Sequence, residues 1–157
     1  MNGKIIGVFL VLTGLVAGIA MYWLQVYAFY EPAVFTPGAE IMLTPIIGDT
    51  PEAIIANGVQ GIDAESSPLR FRACFTTPTS LATLTETYRV YDGPTPLVAP
   101  GWFDCFDANA IGEALERGEA IAFLSQREIV HGFDRVVAVF PDGRAFAWHQ
   151  LNDELEN

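Results

Sequence analysis

The sequence predicts an α+β protein, in which one N-terminal transmembrane helix precedes a domain with a mainly antiparallel sheet and one or two short helices. Three observations support this fold class. Residues 5–30 carry no charged side chain, residues 69–75 alternate between apolar and polar side chains, and an Asp-Gly pair at 142–143 separates two apolar runs. The first pattern is long enough to cross a bilayer as a helix. The second is typical of a half-buried strand, and the third favours a β-hairpin.

The uncharged segment 5–30 is predicted to be an uncleaved membrane anchor. Its C-terminal end is rich in tyrosine, tryptophan and phenylalanine, which suit the membrane–water interface. Lys4 is the only charged side chain at the other end, so the positive-inside rule places residues 1–4 in the cytoplasm and exports the rest. A cleaved signal peptide is the alternative, because residues 18–20 form a small-x-small triplet. The apolar run continues for ten residues beyond Ala20, which favours the anchor.

Glycines in the anchor form a candidate helix-packing stripe. Gly14 and Gly18 have the four-residue spacing that lets two membrane helices approach closely. Gly7 precedes Gly14 by one heptad and extends the same face. We expect this stripe to dock on a helix of an integral membrane protein complex. The alternative is that glycine is simply common in membrane helices.

Six runs of the remaining chain are predicted to be strands, in chain order 41–47, 52–55, 69–75, 120–124, 135–140 and 145–151. Pro45 confines the first run to a sheet edge, because proline cannot donate to a strand ladder. In the third run, Phe71 and Phe75 share one face, whereas Arg72 and Cys74 share the other. The segment 58–68 is polar and rich in glycine and serine, so a loop is expected there.

Two short helices are predicted from their capping residues. Thr79 or Ser80 is a suitable N-cap for a helix that ends near Tyr88. Asp107 is a suitable N-cap for a helix at 108–117, and Gly118 is its natural stop. Between the two helices, three prolines and two glycines predict an irregular connection. The predicted segments are a tail at 1–4, the anchor at 5–30, a linker at 31–39, the domain at 40–152 and an acidic tail at 153–157.

Charge restricts the partners of the exposed part of the chain. From Glu31 onward there are nineteen acidic residues, seven arginines and no lysine, which gives a formal charge of −12. Such a domain repels nucleic acid and attracts a basic protein surface. The alternative is that the charge serves only solubility.

The two cysteines, Cys74 and Cys105, are the candidates for a disulfide. In an oxidising compartment, a small even number of cysteines favours one structural bond. Two alternatives remain open: a pair of buried free thiols, or a redox or metal role with His131 and His149. Because no two of these four residues lie within seven positions of each other, their spacing gives no support to a metal site. We predict neither a metal ion nor a cofactor.

Six further residues are candidates for facing a partner or lining a pocket. Arginines beside Cys74 would lower the pKa of a free thiol and make it reactive. Tryptophan and histidine side chains would line a pocket, although aromatic residues in strands usually fill a core. The chain has no glycine-rich phosphate loop, no Gly-x-Ser-x-Gly and no His-Glu-x-x-His, so we expect no enzyme activity. The six residues are Arg70, Arg72, Trp102, Asp104, Trp148 and His149.

Four segments give the chain a family resemblance: 69–75 (LRFRACF), 99–107 (APGWFDCFD), 134–139 (DRVVAV) and 146–152 (FAWHQLN). With them it resembles an uncharacterised, domain-of-unknown-function family of single-pass alphaproteobacterial inner-membrane proteins. The resemblance implies an inner-membrane location, with the N-terminus in the cytoplasm and the domain in the periplasm, and no activity. The topology is also similar to periplasmic factors that deliver copper to cytochrome oxidase. Those factors carry closely spaced cysteines, whereas the two cysteines here are 31 positions apart.

We therefore expect a non-enzymatic accessory or assembly subunit of an inner-membrane complex, respiratory and cytochrome-containing. Its helix would dock on the complex, and its acidic domain would face a basic c-type cytochrome. The alternative function is a periplasmic thiol or copper-handling assembly factor that uses Cys74 and Cys105. A third hypothesis is a ligand-sensing or envelope-binding module with Trp102 and Trp148 in a pocket.

Overall fold

A computed structural model of the protein describes residues 2–152. Met1 and residues 153–157 lie outside it, and with them the predicted acidic tail. The chain divides into two compact units, with the boundary between Tyr30 and Glu31. The predicted α+β class is confirmed: a long apolar helix is followed by a mostly antiparallel sheet and two short helices.

The first unit is the apolar helix. Helix α1 runs from Gly3 to Trp23 and continues as a π-helical turn at Leu24–Ala28. Its 26 residues have a mean hydropathy of 2.4 and span about 39 Å at 1.5 Å per residue. This exceeds the roughly 30 Å hydrocarbon core of a bilayer. The helix is therefore long and apolar enough to cross a membrane.

The strands of the second unit are β1 Glu31–Pro32, β2 Met42–Leu43, β3 Glu52–Ala53, β4 Asn57–Asp63, β5 Arg72–Thr76, β6 Ile121–Val130, β7 Phe133–Val139 and β8 Arg144–Leu151. Six of them form one sheet in the order β1-β4-β5-β8-β7-β6, in which every neighbouring pair is antiparallel. Strands β2 and β3 form a separate two-stranded sheet. The predicted Asp-Gly hairpin joins β7 to β8, and Gly143 adopts φ +87° in the turn.

The loop predicted at 58–68 is wrong over its first half, because Asn57–Asp63 forms β4. This strand pairs with β5 along its length and with Glu31–Pro32, inside the predicted linker, at one end. Its ladder shifts register after Asn57, where Gly58 takes a positive φ of 62°. Most residues of β4 are exposed or half-buried, so the strand needs few apolar side chains. Pairing with its neighbours therefore outweighs the low intrinsic strand propensity of its glycine and polar residues.

The two helices form where their caps predict. Helix α2 spans Leu81–Thr87, and the Ser80 hydroxyl accepts a hydrogen bond from the Thr83 N–H. Helix α3 spans Ala108–Glu116, and the Asp107 carboxylate accepts hydrogen bonds from two N–H groups of its first turn at 3.0 and 3.1 Å. Gly118 follows with a φ of +70°, as a helix stop requires.

Each face of the sheet carries its own core. On the first, called the α2 face here, Leu84 of α2 and Leu43 of β2 pack against alternate positions of β5, β7 and β8. On the second, the α3 face, Ile111 and the segment before α3 pack against the remaining positions of the same strands. Trp148, with no exposed surface, is the largest side chain of the α3 core.

Candidate functional site

The two cysteines are joined on the α3 face. The Sγ atoms of Cys74 and Cys105 lie within bonding distance, and the Cα atoms are 6.3 Å apart. Cys74 belongs to β5, whereas Cys105 lies two residues before the N-cap of α3, so the bond fastens this helix entry to the sheet. The arginine-activated thiolate requires a free thiol, and both cysteines of the chain are in this pair.

Arg72 is buried and holds the proline-rich connection against the sheet. Its Nε donates to the carbonyl of Leu97 at 2.7 Å and its Nη2 to that of Val98 at 3.2 Å. Its Nη1 donates to the carbonyls of Leu69 and Phe71 at 2.7 and 2.6 Å. A guanidinium offers five donors in a rigid plane, and here that geometry fixes two chain segments together. The side chain is therefore turned into the domain and away from a partner surface.

The remaining predicted residues lie in different environments. Trp148 is completely buried, and its Nε1 donates to the Gln150 side-chain oxygen at 3.0 Å, so it does not line an open pocket. Trp102 retains 38% of its surface and packs edge-to-face on the neighbouring phenylalanine. Asp104 is exposed, and Arg70 is half-buried. Within residues 2–152, no three histidine, cysteine or carboxylate side chains are placed to share a metal ion.

His149 belongs to a set of side chains that crosses one end of the α2 face, called the polar row here. Gln126 of β6 pairs with Arg135 of β7, which pairs with His149 of β8. The next two positions across the sheet are Phe71, one residue before the Arg72–Trp148 pair, and Asp63, one residue after the Ile62–Arg72 pair. Five distant parts of the sequence thus place an amide, a guanidinium, an imidazole, a phenyl ring and a carboxylate side by side.

His149 is neutral and positions Arg135. Its ring stacks on Phe71 with centroids 4.5 Å apart. Its Nε2 accepts a hydrogen bond from the Arg135 Nε at 3.0 Å, so its Nδ1 carries the proton and donates to the carbonyl of Pro68 at 2.7 Å. Burial, followed by the charge of Arg135, lowers the pKa of His149 to about 3. An imidazole that stays uncharged can accept from a guanidinium without charge repulsion.

Arg135 and Asp63 face a common cavity that lies along the polar row. The Arg135 guanidinium lies 4.2 Å from the Phe71 ring centroid, and its Nη1 donates to the Gln126 amide at 3.4 Å. Burial lowers the pKa of Arg135, and the charge of Asp63 opposes that shift. Burial raises the pKa of Asp63, opposed first by the N–H of Ala64 and then by Arg135. The cavity has a volume of about 250 Å³, and residues 33–40 form much of its wall.

Sequence reasoning missed most of the polar row. It singled out His149 alone, although a signal for Arg135 exists. In the run 134–139, Arg135 shares a strand face with Val137 and Val139. A charge on an otherwise apolar strand face indicates a buried polar contact, because burying an unpaired charge is costly.

Comparison with known proteins bears on the family. Neither curated proteins nor solved structures gave a match to this chain. Residues 41–157 match the model of a family of unknown function, DUF6446. The matched region contains β2 to β8, both short helices, the disulfide and the polar row, and it leaves out the apolar helix. By this match, which covers most of its length, the chain belongs to the family of unknown function DUF6446.

Proposed function

We propose that this chain is a non-enzymatic accessory or assembly subunit of a bacterial inner-membrane complex of the respiratory, cytochrome-containing kind. Its apolar helix docks on a membrane helix of that complex, with the N-terminus in the cytoplasm. The observation that supports this most is the open glycine stripe: a Cβ atom added at Gly7, Gly14 or Gly18 would meet nothing within 4 Å. Small residues at this spacing allow the close backbone contact that holds membrane helices together.

The state of the polar side chains supports a non-catalytic role. The donors of Arg72 bind backbone carbonyls, both nitrogens of His149 are hydrogen-bonded, and Asp107 caps a helix. Each of these groups contributes to the architecture of the domain. A catalytic acid, base or nucleophile must instead reach a substrate atom within hydrogen-bond distance.

The disulfide and the charge support the location and the partner. A structural disulfide is typical of proteins in oxidising compartments such as the periplasm. The charge of −12 from Glu31 onward favours approach to a basic surface such as that of a c-type cytochrome, and salt weakens such an approach.

Purification of the tagged full-length chain from native membrane in a mild detergent tests the proposal. We expect a membrane complex to co-purify with the wild type and to be lost when Gly14→Leu and Gly18→Leu are combined. Ala20→Leu is the matched control, because it enlarges a small residue on the opposite side of the helix. Recovery of the wild type as a lone monomer, or equal loss of the complex in the control, contradicts the proposal.

A thiol or copper-handling role is the second candidate, favoured by the exposure of Cys105. A disulfide with one exposed cysteine residue is a candidate for attack by an external thiolate. Labelling of free thiols in the native protein, with and without reductant, separates the two candidates. A pair that stays oxidised in cells, and that binds no Cu(I) after reduction, removes the second candidate.

A further inference from the structure

We propose that the cavity along the polar row binds a small zwitterion, a free α-amino acid. Its carboxylate would bind Arg135 and its ammonium group would bind Asp63. This site is independent of the helix-docking role proposed above, because it lies within the second unit and uses none of the anchor residues.

Two opposite charges line the cavity without meeting. Among residues 2–152, no carboxylate oxygen lies within 4.0 Å of the Arg135 guanidinium, and the same holds for cationic groups around Asp63. Both side chains nevertheless line the same space of about 250 Å³. In a partly buried site, two opposite charges that are held apart each lose hydration without gaining a counter-ion in contact. A ligand that carries both charges would satisfy the two groups together.

The carboxylate end of the site is held rigid before any ligand arrives. Nε of Arg135 binds His149, and Nη1 binds Gln126. The flat face of the guanidinium lies over Phe71 at 4.2 Å. These contacts fix the guanidinium plane and leave Nη2 to donate to a ligand. Arginine in a fixed orientation is the residue best suited to recognise a carboxylate.

The ammonium end is formed by Asp63, with support from the cavity wall. One carboxylate oxygen of Asp63 accepts the N–H of Ala64 at 2.8 Å, and the other is available to a ligand. Glu40 and Thr36 also line the cavity and add oxygen acceptors to its wall. Two carboxylates on the wall disfavour a simple anion, and Arg135 disfavours a simple cation.

Size restricts the ligand to a small molecule. A volume of about 250 Å³ equals roughly eight water molecules at 30 Å³ each. Sites for drug-sized ligands begin near 300 Å³. The cavity is therefore matched to a molecule of amino-acid size.

Ligand binding to the full-length protein in detergent tests the inference. Each of the twenty L-amino acids is added at about 10 mM, and the thermal unfolding midpoint is measured, because a ligand that binds only the folded state raises it. We expect at least one amino acid to raise the midpoint, and calorimetry then gives its Kd. Acetate and methylammonium, which carry one charge each, are expected to have no effect. If no amino acid raises the midpoint, or if acetate does so equally well, the inference is overturned.

Variants locate the binding site. Asp63→Asn and Arg135→Gln are each expected to weaken binding at least tenfold, since each removes the charge that pairs with one end of the zwitterion. Asp92→Asn and Arg127→Gln are matched controls, because they make the same changes at exposed positions, and they should leave Kd unchanged. Tryptophan fluorescence checks folding, and Asp63→Asn alone decides the question if Arg135→Gln does not fold. Unchanged affinity in Asp63→Asn would place the ligand elsewhere and overturn the inference.

Discussion

Removal of the disulfide is expected to cost the domain a large share of its stability. The change is the double variant Cys74→Ala and Cys105→Ala. The bond closes a loop of 31 positions, and the chain-entropy model gives about 3.7 kcal/mol for a loop of that length. Because single domains are stable by only about 5–15 kcal/mol, the double variant should remain folded at room temperature but with a much smaller free energy of unfolding.

The same loss can be stated as a shift in unfolding temperature. The second unit begins at Glu31 and comprises 127 residues, for which an unfolding entropy of about 2.1 cal/mol/K per residue gives roughly 0.27 kcal/mol/K. A loss of about 3.7 kcal/mol then lowers the midpoint by about 14 °C. The contribution of the disulfide acts on the unfolded chain, so the native contacts of the α3 face should persist in the variant.

Urea unfolding of the full-length protein, followed by tryptophan emission, measures this loss. Trp148 is fully buried, so its emission shifts when the α3 core opens. Reductant should destabilise the wild type toward the level of the double variant and should have no effect on the variant itself. A loss below about 1 kcal/mol would refute the loop-closure reasoning, as would an equal effect of reductant on both proteins.

Three further changes test individual contacts. An unfolded histidine titrates near 6.5, so the stability contributed by neutral His149, whose pKa is about 3 in the fold, is complete above pH 6.5. It is lost as the pH falls from 6.5 toward 3, by at most about 1.4 kcal/mol per pH unit. The difference in urea stability between wild type and His149→Gln should therefore shrink with falling pH; a constant difference contradicts this. Gly61→Ala would place a Cβ atom 2.6 Å from the ring of Phe35; we expect a loss of about 1–3 kcal/mol and faster proteolysis at 33–40, whereas wild-type proteolysis would count against the contact. Asp107→Ala removes the cap of α3 and should cost about 1 kcal/mol in urea unfolding; Asp107→Asn, which also caps, should cost less.

Features fixed by neighbouring residues could be predicted from the sequence. The caps of both short helices, the Asp-Gly turn and the apolar helix each depend on a few adjacent positions, and each formed at the expected place. The partners of the disulfide were also predictable, because only two cysteines exist to pair, although the sequence left open whether the bond forms. In all these cases, the physical cause acts within a short stretch of chain or between very few candidates.

Features fixed by distant pairing could not be predicted. Strand β4 has a polar, glycine-containing sequence that resembles a loop, and its ladders with β5 and β1 make it a strand. Likewise, the polar row unites residues from five separate parts of the chain. A change of one position in the register of any strand would turn its member to the opposite face of the sheet. The cavity of Arg135 and Asp63 therefore exists only once the whole sheet order is known.

The polar row is energetically unusual, because a fold seldom needs buried charged and polar side chains where apolar ones would fit. Taking charges out of water is costly, and well-packed apolar residues in place of a buried ionic set are often neutral or stabilising by about 1–4 kcal/mol. Arg135 and His149 share one hydrogen bond and both contact Phe71. If the pair serves a ligand, the domain should tolerate its replacement by apolar residues of similar size.

The double variant Arg135→Met and His149→Phe distinguishes a role of the pair in ligand binding from a role in stabilising the fold. The new phenyl ring can keep the stack on Phe71, and methionine fills irregular space well. We expect unfolding stability in urea to stay equal to the wild type or to rise, while the binding of the amino acid identified by thermal shift is abolished. A loss of several kcal/mol would instead mean that the pair is required for the fold, as a network partner of Gln126 and the Pro68 carbonyl. Stability retained with binding lost would show that the chain keeps a buried charge at the end of its sheet for recognition.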